Sequence, residues 1–198
     1  MTAVASRSRT VRPRMLGLAD QGTRVSHAEF ARAKFEEPWR YERVLGRLVV
    51  MPPSGDAHVG STEPIRDYLG AYKLSHSDIL ERVVSEAWFF IDEETDRIAD
   101  IGVYLVSPGA KKPIPKRIPD WVCEIVSAGS EERDYIAKRH EYEQAGVREY
   151  VIFDRAQHRA TILRRVRGRF QETQLRPSDT YHTPLLPGLA IPLQAIIG

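Results

Sequence analysis

The sequence predicts an α/β (α+β) domain with the element order αβββαβ, in which a mixed sheet is flanked by helices. Apolar, strand-like runs follow one another at residues 79–91, 97–106 and 120–127. A clear helical pattern then covers residues 131–145, and another apolar strand follows at 147–154. A right-handed crossover through that helix would place the last strand parallel to strand 120–127.

The elements before this core are predicted from caps and chain breakers. Ser26 and Glu29 have the spacing of a capping box, which predicts a short helix over residues 27–34. The segment YERVLGRLVVMPP reads as a strand pair or a bent strand, interrupted at Gly46. These elements precede the αβββαβ core along the chain.

Other boundaries follow from the same signals. Apolar residues between 56 and 73 fit helical spacing, and Pro64 either kinks that helix or marks a later start. Ser130 is expected to cap the helix of the core, and Gly146 to end it. The segment ATILRRVRGRFQETQ then predicts a C-terminal β-hairpin that turns at Gly168.

The chain has 198 residues, the usual size of one domain. Residues 1–24 show no period and are predicted to be a flexible basic tail, followed by one folded domain over residues 25–198. The single cysteine, Cys123, excludes an internal disulfide and a cysteine-cluster zinc site. Neither a secretory signal nor a membrane-spanning apolar run is found, so a cytoplasmic location is expected.

The net charge of +2 is distributed unevenly along the chain. Residues 1–25 carry five Arg and one Asp, and residues 155–176 carry seven Arg and one Glu. Residues 26–150 hold 23 acidic and 17 basic residues, a net charge of −6. An acidic centre with basic flanks is typical of metal-dependent enzymes that act on phosphodiesters, although solvated surface charge would give the same pattern.

Two carboxylates stand out because each interrupts an otherwise apolar strand. Asp100 lies in IADIGV and Glu124 lies in WVCEIV. A buried, ionised carboxylate needs a cation, a proton or hydrogen-bond donors. One divalent cation would satisfy both acids, and oxygen ligands favour Mg²⁺ or Mn²⁺ over zinc. The alternative is that one or both acids lie at a strand end, solvated or paired with arginine.

Lys138 is the candidate basic group of the same site. On the helix that follows the Glu124 strand, it shares a face with Tyr135 and Tyr142. From the inward face it could orient an attacking water and stabilise negative charge on a phosphoryl group. The alternative is a lysine whose ammonium reaches solvent.

The segments YERVLGRLVVMPP, RIADIGVYLV, IPDWVCEIVS and KRHEYEQAGVREYVIFD, followed by TPLLPGLAIPL, occur in this order from about Ser26 to the C-terminus. Together they resemble the putative restriction endonuclease family, a domain-of-unknown-function family of cyanobacteria and actinobacteria within the PD-(D/E)XK nuclease superfamily. The resemblance implies a restriction-endonuclease-like fold.

The resemblance also implies a set of site residues. Asp100 and Glu124 match the two metal-ligand acids, and Ile125 would add its backbone carbonyl. Lys138 matches a superfamily lysine that has migrated to the helix, since Val126 occupies the usual lysine position. Glu42, in the early Tyr-Glu motif, matches a further acid. Ala99 and Ala128 depart from the family pattern, which has proline at both positions.

The function implied is divalent-metal-dependent, endonuclease-type hydrolysis of DNA phosphodiester bonds. Mg²⁺ or Mn²⁺ would be the cofactor and DNA the partner, with no membrane and a possible homodimer. One alternative is a catalytically silent module that binds nucleic acid or protein. Another is a structural protein of a mobile element or toxin system that dimerises through its C-terminal hairpin.

The hairpin carries four arginines, Arg164, Arg165, Arg167 and Arg169. Because alternation along a strand cannot direct all four into a core, most are predicted to form a solvent-facing basic patch that binds nucleic acid.

Several other residue types carry weaker signals. The histidines are scattered without ligand spacing and are interpreted as surface or hydrogen-bonded residues, with His58, near Glu42, as the first candidate for an exception. Asp120 is assigned to a turn or to the start of a strand. The three tryptophans, Trp39, Trp88 and Trp121, are expected in the core rather than as base-stacking platforms.

Overall fold

The computed structural model describes residues 13–109, 113 and 116–198. The N-terminal elements are β1 (Met15–Leu16), a 3₁₀ turn (Leu18–Asp20), α1 (His27–Phe30), β2 (Lys34–Phe35), β3 (Arg40–Val44), β4 (Arg47–Met51) and α2 (Asp56–Ser75). The central elements are β5 (Leu80–Asp92), β6 (Thr95–Leu105), β7 (Trp121–Ile125), a π-helical turn (Arg133–Ala137), α3 (Lys138–Ala145) and β8 (Glu149–Asp154). The C-terminal elements are β9 (Arg159–Val166), β10 (Arg169–Leu175), β11 (Thr180–Tyr181), β12 (Ile191–Pro192) and α4 (Gln194–Ile197).

The main sheet has eight strands, in the order β10-β9-β8-β7-β6-β3-β4, and β5 pairs with β6 outside this path. Strands β7 and β8 run parallel, and the other neighbouring strands described in this sheet run antiparallel. The predicted mixed sheet, its parallel strand pair and its C-terminal hairpin are therefore confirmed.

Helices cover both faces of the sheet. On one face, apolar side chains of α2 and α4 pack on β6, β7 and β8 around Trp121 and Cys123. On the other face, Tyr142 of α3 packs on Phe89, Val122 and Tyr150. All five residues of β7 are buried because strands lie on both of its edges and helices over both faces. This double burial explains its apolar sequence.

A third apolar cluster joins the N-terminal segment to the edge of the sheet. Strand β1 pairs in parallel with β2, and Leu16 is fully buried with Phe30, Tyr41 and Leu48. Part of the segment predicted as a flexible tail thus forms β1 and the 3₁₀ turn, and Leu16 packs on the domain. Two-residue strands are too short to show a period, so the sequence pattern missed them. Residues 1–12 lie outside the described residues.

Most of the predicted capping and helix-ending residues lie at or near observed helix ends, with differences of a few residues. Ser26 and Glu29 form the capping box, but α1 ends at Phe30 rather than at residue 34. Helix α2 begins at Asp56 and continues through Pro64. Gly146 ends α3 in the left-handed conformation, with φ of 93°. The predicted helix 131–145 includes a π-helical turn at Arg133–Ala137, which the sequence pattern did not predict.

The described helices include none that is both long and apolar enough to cross a membrane.

Candidate active site

Five residues singled out from the sequence surround one narrow cavity beside strands β6 and β7. These are Glu42, Asp100, Glu124, Ile125 and Lys138. The cavity volume of about 20 Å³ is room for about one water molecule. The remaining lining residues are Arg40, Met51, His58, Ile98, Ser127 and Arg133.

The two acids meet because of the register between β6 and β7. The antiparallel ladder pairs Ile101 with Cys123, so Asp100 and Glu124 occupy the next facing positions. Facing residues of an antiparallel pair project from the same side of the sheet. The backbone N–H of Ile125 donates to Oδ2 of Asp100 at 2.7 Å, which fixes the Asp100 carboxylate beside β7.

Asp100 is nearly buried and is held by cationic or polar neighbours. Its Oδ1 lies 3.0 Å from Nε2 of His58 and 3.8 Å from Nη1 of Arg40. Burial acts to raise the pKa of Asp100, but the hydrogen bond from His58 and the charge of Lys138 outweigh it, so the pKa is lowered. Asp100 is therefore a carboxylate at neutral pH.

The pKa of Glu124 is raised, whereas that of Asp100 is lowered. Its Oε1 accepts hydrogen bonds from Nζ of Lys138 at 2.8 Å and from the hydroxyl of Tyr142 at 2.7 Å. Burial raises the pKa of Glu124 to about 8, against the charge of Lys138 and with the help of the negative charge on Asp100. At neutral pH Glu124 therefore tends to be protonated, whereas Asp100 is ionised.

Lys138 is buried, with 3% of its side chain exposed, so its ammonium does not reach solvent. Its Nζ donates to Glu124 and, at 3.0 Å, to the carbonyl of Ile98. Burial acts to lower the pKa of Lys138, but the charges of Glu124 and Glu42 outweigh it and the pKa is raised. The π-helical turn and α3 direct Asp134, Lys138 and Tyr142 toward the core.

Glu42 is fully buried and forms its ion pair with Arg97. It accepts hydrogen bonds from Nη1 of Arg97 at 2.7 Å and from the backbone N–H of Ile98 at 3.0 Å, and lies 3.7 Å from Lys138. Burial acts to raise its pKa, but the charges of Lys138 and Arg97 lower it. Arg97 also forms a two-bond contact with Glu141.

The sequence reasoning missed several residues of this arrangement. The sequence does not predict a role for Arg97, Arg40 or Arg133 here, and it indicates His58 only as an exception among the histidines. Arg97 interrupts the same apolar strand as Asp100, and this was the available signal. Asp120 precedes β7, and its carboxylate accepts from the N–H of Leu105 at 2.9 Å, which agrees with a role at the strand start.

Among the described residues, no group of three or more His, Cys, Asp and Glu side chains is arranged to hold a metal ion. The donor set nevertheless fits Mg²⁺, because this ion usually takes one or two carboxylates and completes its shell with waters and substrate phosphates. Asp100 and Glu124 are two such carboxylates. Burial is the main reason why the pKa of Glu124 is raised, and a divalent cation held by the two carboxylates would act to lower it.

The four hairpin arginines do not form one patch. Arg164 donates to Glu149 at 3.0 Å and to the carbonyl of His182. Arg165 donates to the backbone carbonyl of Glu143, and Arg169 to its carboxylate at 3.0 Å. Arg164 and Arg165 are adjacent in β9, so they project to opposite faces of the sheet. Arg167 occupies the exposed turn, with φ of 50°.

A family model described as putative restriction endonuclease, Uma2, matches residues 27–194, which is most of the chain. The chain belongs to the Uma2 family. The matched region contains all five of the cavity residues named at the start of this section, as well as the four hairpin arginines.

A solved structure supports the same fold for this Uma2 chain. It is the crystal structure of a putative nuclease belonging to DUF820 from Anabaena variabilis ATCC 29413. The two chains are 16% identical and superpose with a TM-score of 0.71, over 87% of this chain and 97% of the other. A comparison with curated proteins gave no match.

Proposed function

We propose that this Uma2 chain is a divalent-metal-dependent endonuclease that hydrolyses DNA phosphodiester bonds. One observation carries the proposal. Asp100 and Glu124 occupy facing positions beside one cavity, and the buried ammonium of Lys138 lies 2.8 Å from Glu124. Two carboxylates can hold a divalent cation that assists phosphodiester hydrolysis, and a lysine can stabilise the charge that develops on the phosphoryl group.

Asp100 and Glu124 would hold Mg²⁺ or Mn²⁺, with the carbonyl of Ile125 as a further oxygen ligand. When bound, the cation would supply charge neutralisation at the phosphate and acidify a water molecule. Asp100 is already ionised, whereas Glu124 would release its proton when the cation enters. Cation binding is therefore expected to tighten as the pH rises toward the raised pKa of Glu124.

Lys138 would act on the water and the phosphate. Two of its three N–H donors are directed at Glu124 and at the carbonyl of Ile98. The third would donate to a water or phosphoryl oxygen in the cavity that Lys138 lines. There it would orient the water for in-line attack on phosphorus while the 3′-oxygen leaves. Its charge would stabilise the phosphoryl oxygens.

Basic residues around the cavity would bind the DNA backbone. Arg40 and Arg133 line the cavity itself. Arg66, with His58, lines a neighbouring cavity of about 170 Å³ that also reaches Asp100. Phosphate oxygens bind to such side chains regardless of base sequence, so these residues would position the backbone rather than select a site.

The test is an incubation of purified protein with plasmid and with oligonucleotides, in Mg²⁺, in Mn²⁺ and in EDTA. We expect cleavage with either metal, none in EDTA, and none with Asp100→Asn in any condition. DNA binding without cleavage in both metals would refute the enzyme and leave a binding module.

A further inference from the structure

An aromatic cleft of about 220 Å³ opens next to the carboxylate cavity. Its aromatic walls are Phe30, Phe35, Trp39, Tyr41 and Trp88. The rings pack against one another, with 5.7 Å between the centres of Phe30 and Trp88 and 5.2 Å between those of Phe30 and Phe35. Unlike Trp121, which is buried, Trp39 and Trp88 are only partly buried.

The cleft and the carboxylate cavity have two lining residues in common. Arg40 and Ile98 line both. Nη1 of Arg40 lies 3.6 Å from Glu86 and 3.8 Å from Asp100, which is longer than a hydrogen bond to either carboxylate. The guanidinium therefore makes no close contact with either acid, although Glu86 also lines the cleft, and its Nε donates to the carbonyl of Pro52 at 3.3 Å.

The shape and chemistry of the cleft fit one nucleobase. Drug-sized ligands occupy roughly 300–1,000 Å³, so a space of 220 Å³ suits a smaller, flat group. Bases stack on aromatic side chains whatever their sequence. Arg40 supplies the positive charge for an adjoining phosphate.

We propose that the aromatic cleft binds one unpaired nucleobase of single-stranded DNA while Arg40 contacts the adjoining phosphate. A base inside a duplex is stacked and paired, so it cannot enter without leaving the helix. The protein would then prefer single-stranded or locally unpaired DNA. This inference rests on the proposed function, because it assigns a substrate to the same site.

The first experiment measures binding of fluorescent oligonucleotides in EDTA, where cleavage does not interfere. The parent should bind a single strand about tenfold more tightly than the matching duplex. Trp39→Leu removes the ring and should weaken single-strand binding about tenfold, whereas Trp39→Phe should keep most of the affinity. Tyr68→Leu is the matched control, since Tyr68 packs on the cluster around Trp121 and lines neither the cleft nor the carboxylate cavity.

A second measurement does not depend on the stability of any variant. One abasic residue is placed at each position of the oligonucleotide in turn. One position should lose about as much affinity as Trp39→Leu, and combining that position with Trp39→Leu should cause little further loss. Penalties that add fully, or parent-like binding by Trp39→Leu, would overturn the cleft assignment.

Cleavage in Mn²⁺ separates the two proposals. If the parent cuts no DNA but single-strand binding depends on Trp39, the cleft assignment stands and the nuclease proposal fails. If the parent cuts duplex DNA and Trp39→Leu binds and cuts like the parent, the nuclease stands and the cleft assignment fails.

Discussion

Asp100 and Glu124 occupy facing positions on β6 and β7, one step beyond the last pair of the ladder, Ile101 and Cys123. Their surroundings differ although their positions match. Donors around Asp100 lower its pKa, whereas burial raises the pKa of Glu124 to about 8. The pair therefore carries one negative charge at neutral pH, on Asp100. Glu124 would lose its proton when a cation binds, which would give the pair a second negative charge.

The first prediction concerns cation affinity. Asp100→Asn and Glu124→Gln should each weaken Mn²⁺ binding about tenfold or more, because each removes a charged ligand. Calorimetric titration measures this, and Glu172→Gln, on the hairpin, is the control. Unchanged Mn²⁺ affinity in both site variants would show that any cation binds elsewhere.

The second prediction concerns pH and stability without metal. The pKa of Glu124 is raised from 4.5 to about 8 in the folded protein, so folding is favoured while the proton is bound. This contribution is fully present below about pH 4.5, declines as the pH rises and is lost above about pH 8. Glu124→Gln resembles the protonated acid at every pH, so its free energy of unfolding should not show this decline.

Denaturant unfolding of the parent and of Glu124→Gln, from pH 5 to 9, measures the effect. The free energy of unfolding of the parent should fall relative to the variant by on the order of a few kcal/mol across that range. Saturating Mn²⁺ should reverse the decline in the parent. A constant difference between the two proteins would show that Glu124 is ionised throughout.

The third prediction separates catalysis from binding at Lys138. Lys138→Met keeps most of the side-chain volume but removes the ammonium, so cleavage should be lost while DNA affinity is nearly unchanged. Removal also leaves Glu42 and Glu124 with less compensating charge, so the variant should be less stable, more so at pH 8 than at pH 6. Lys34→Met, an exposed site, is the control. Parent-like cleavage by Lys138→Met would exclude the catalytic role.

Part of this site could be predicted from the sequence because burial makes charge conspicuous. Asp100 and Glu124 interrupt apolar strands, and a buried acid needs a specific partner. The partners themselves were harder to predict. His58 reaches Asp100 from α2, and Arg97 joins Glu42 to Glu141, through contacts between residues distant in sequence. No local pattern encodes such contacts.

The fold, like the site, could be predicted in part from the sequence. Apolar runs and glycines placed the strands, the hairpins and the end of α3. The π-helical turn at Arg133–Ala137 was not predictable, because helical spacing does not separate a π turn from an α turn in so short a segment. The strand β1 was missed because Leu16 owes its burial to Phe30 and Leu48, which lie far along the chain.

The last prediction concerns the hairpin arginines, which differ in how far their charge is compensated. Arg164 and Arg169 each pair with a carboxylate, of Glu149 and Glu143 respectively. Arg165 donates to a backbone carbonyl, and Arg167 lies in the exposed turn. Arg165 also lies near the Glu143 carboxylate, but among the described residues neither Arg165 nor Arg167 donates to a carboxylate, so both are the better candidates to bind a polyanion.

Replacing Arg165 and Arg167 together by alanine should weaken DNA binding with little regard to sequence. It should also flatten the dependence of log affinity on log salt by roughly one to two units, since each lost phosphate contact removes about 0.9. The double variant of Arg164 and Arg169 is the matched control and should change the slope less. Binding across a salt series measures both. Parent-like slopes in both double variants would exclude the hairpin as a DNA-binding surface.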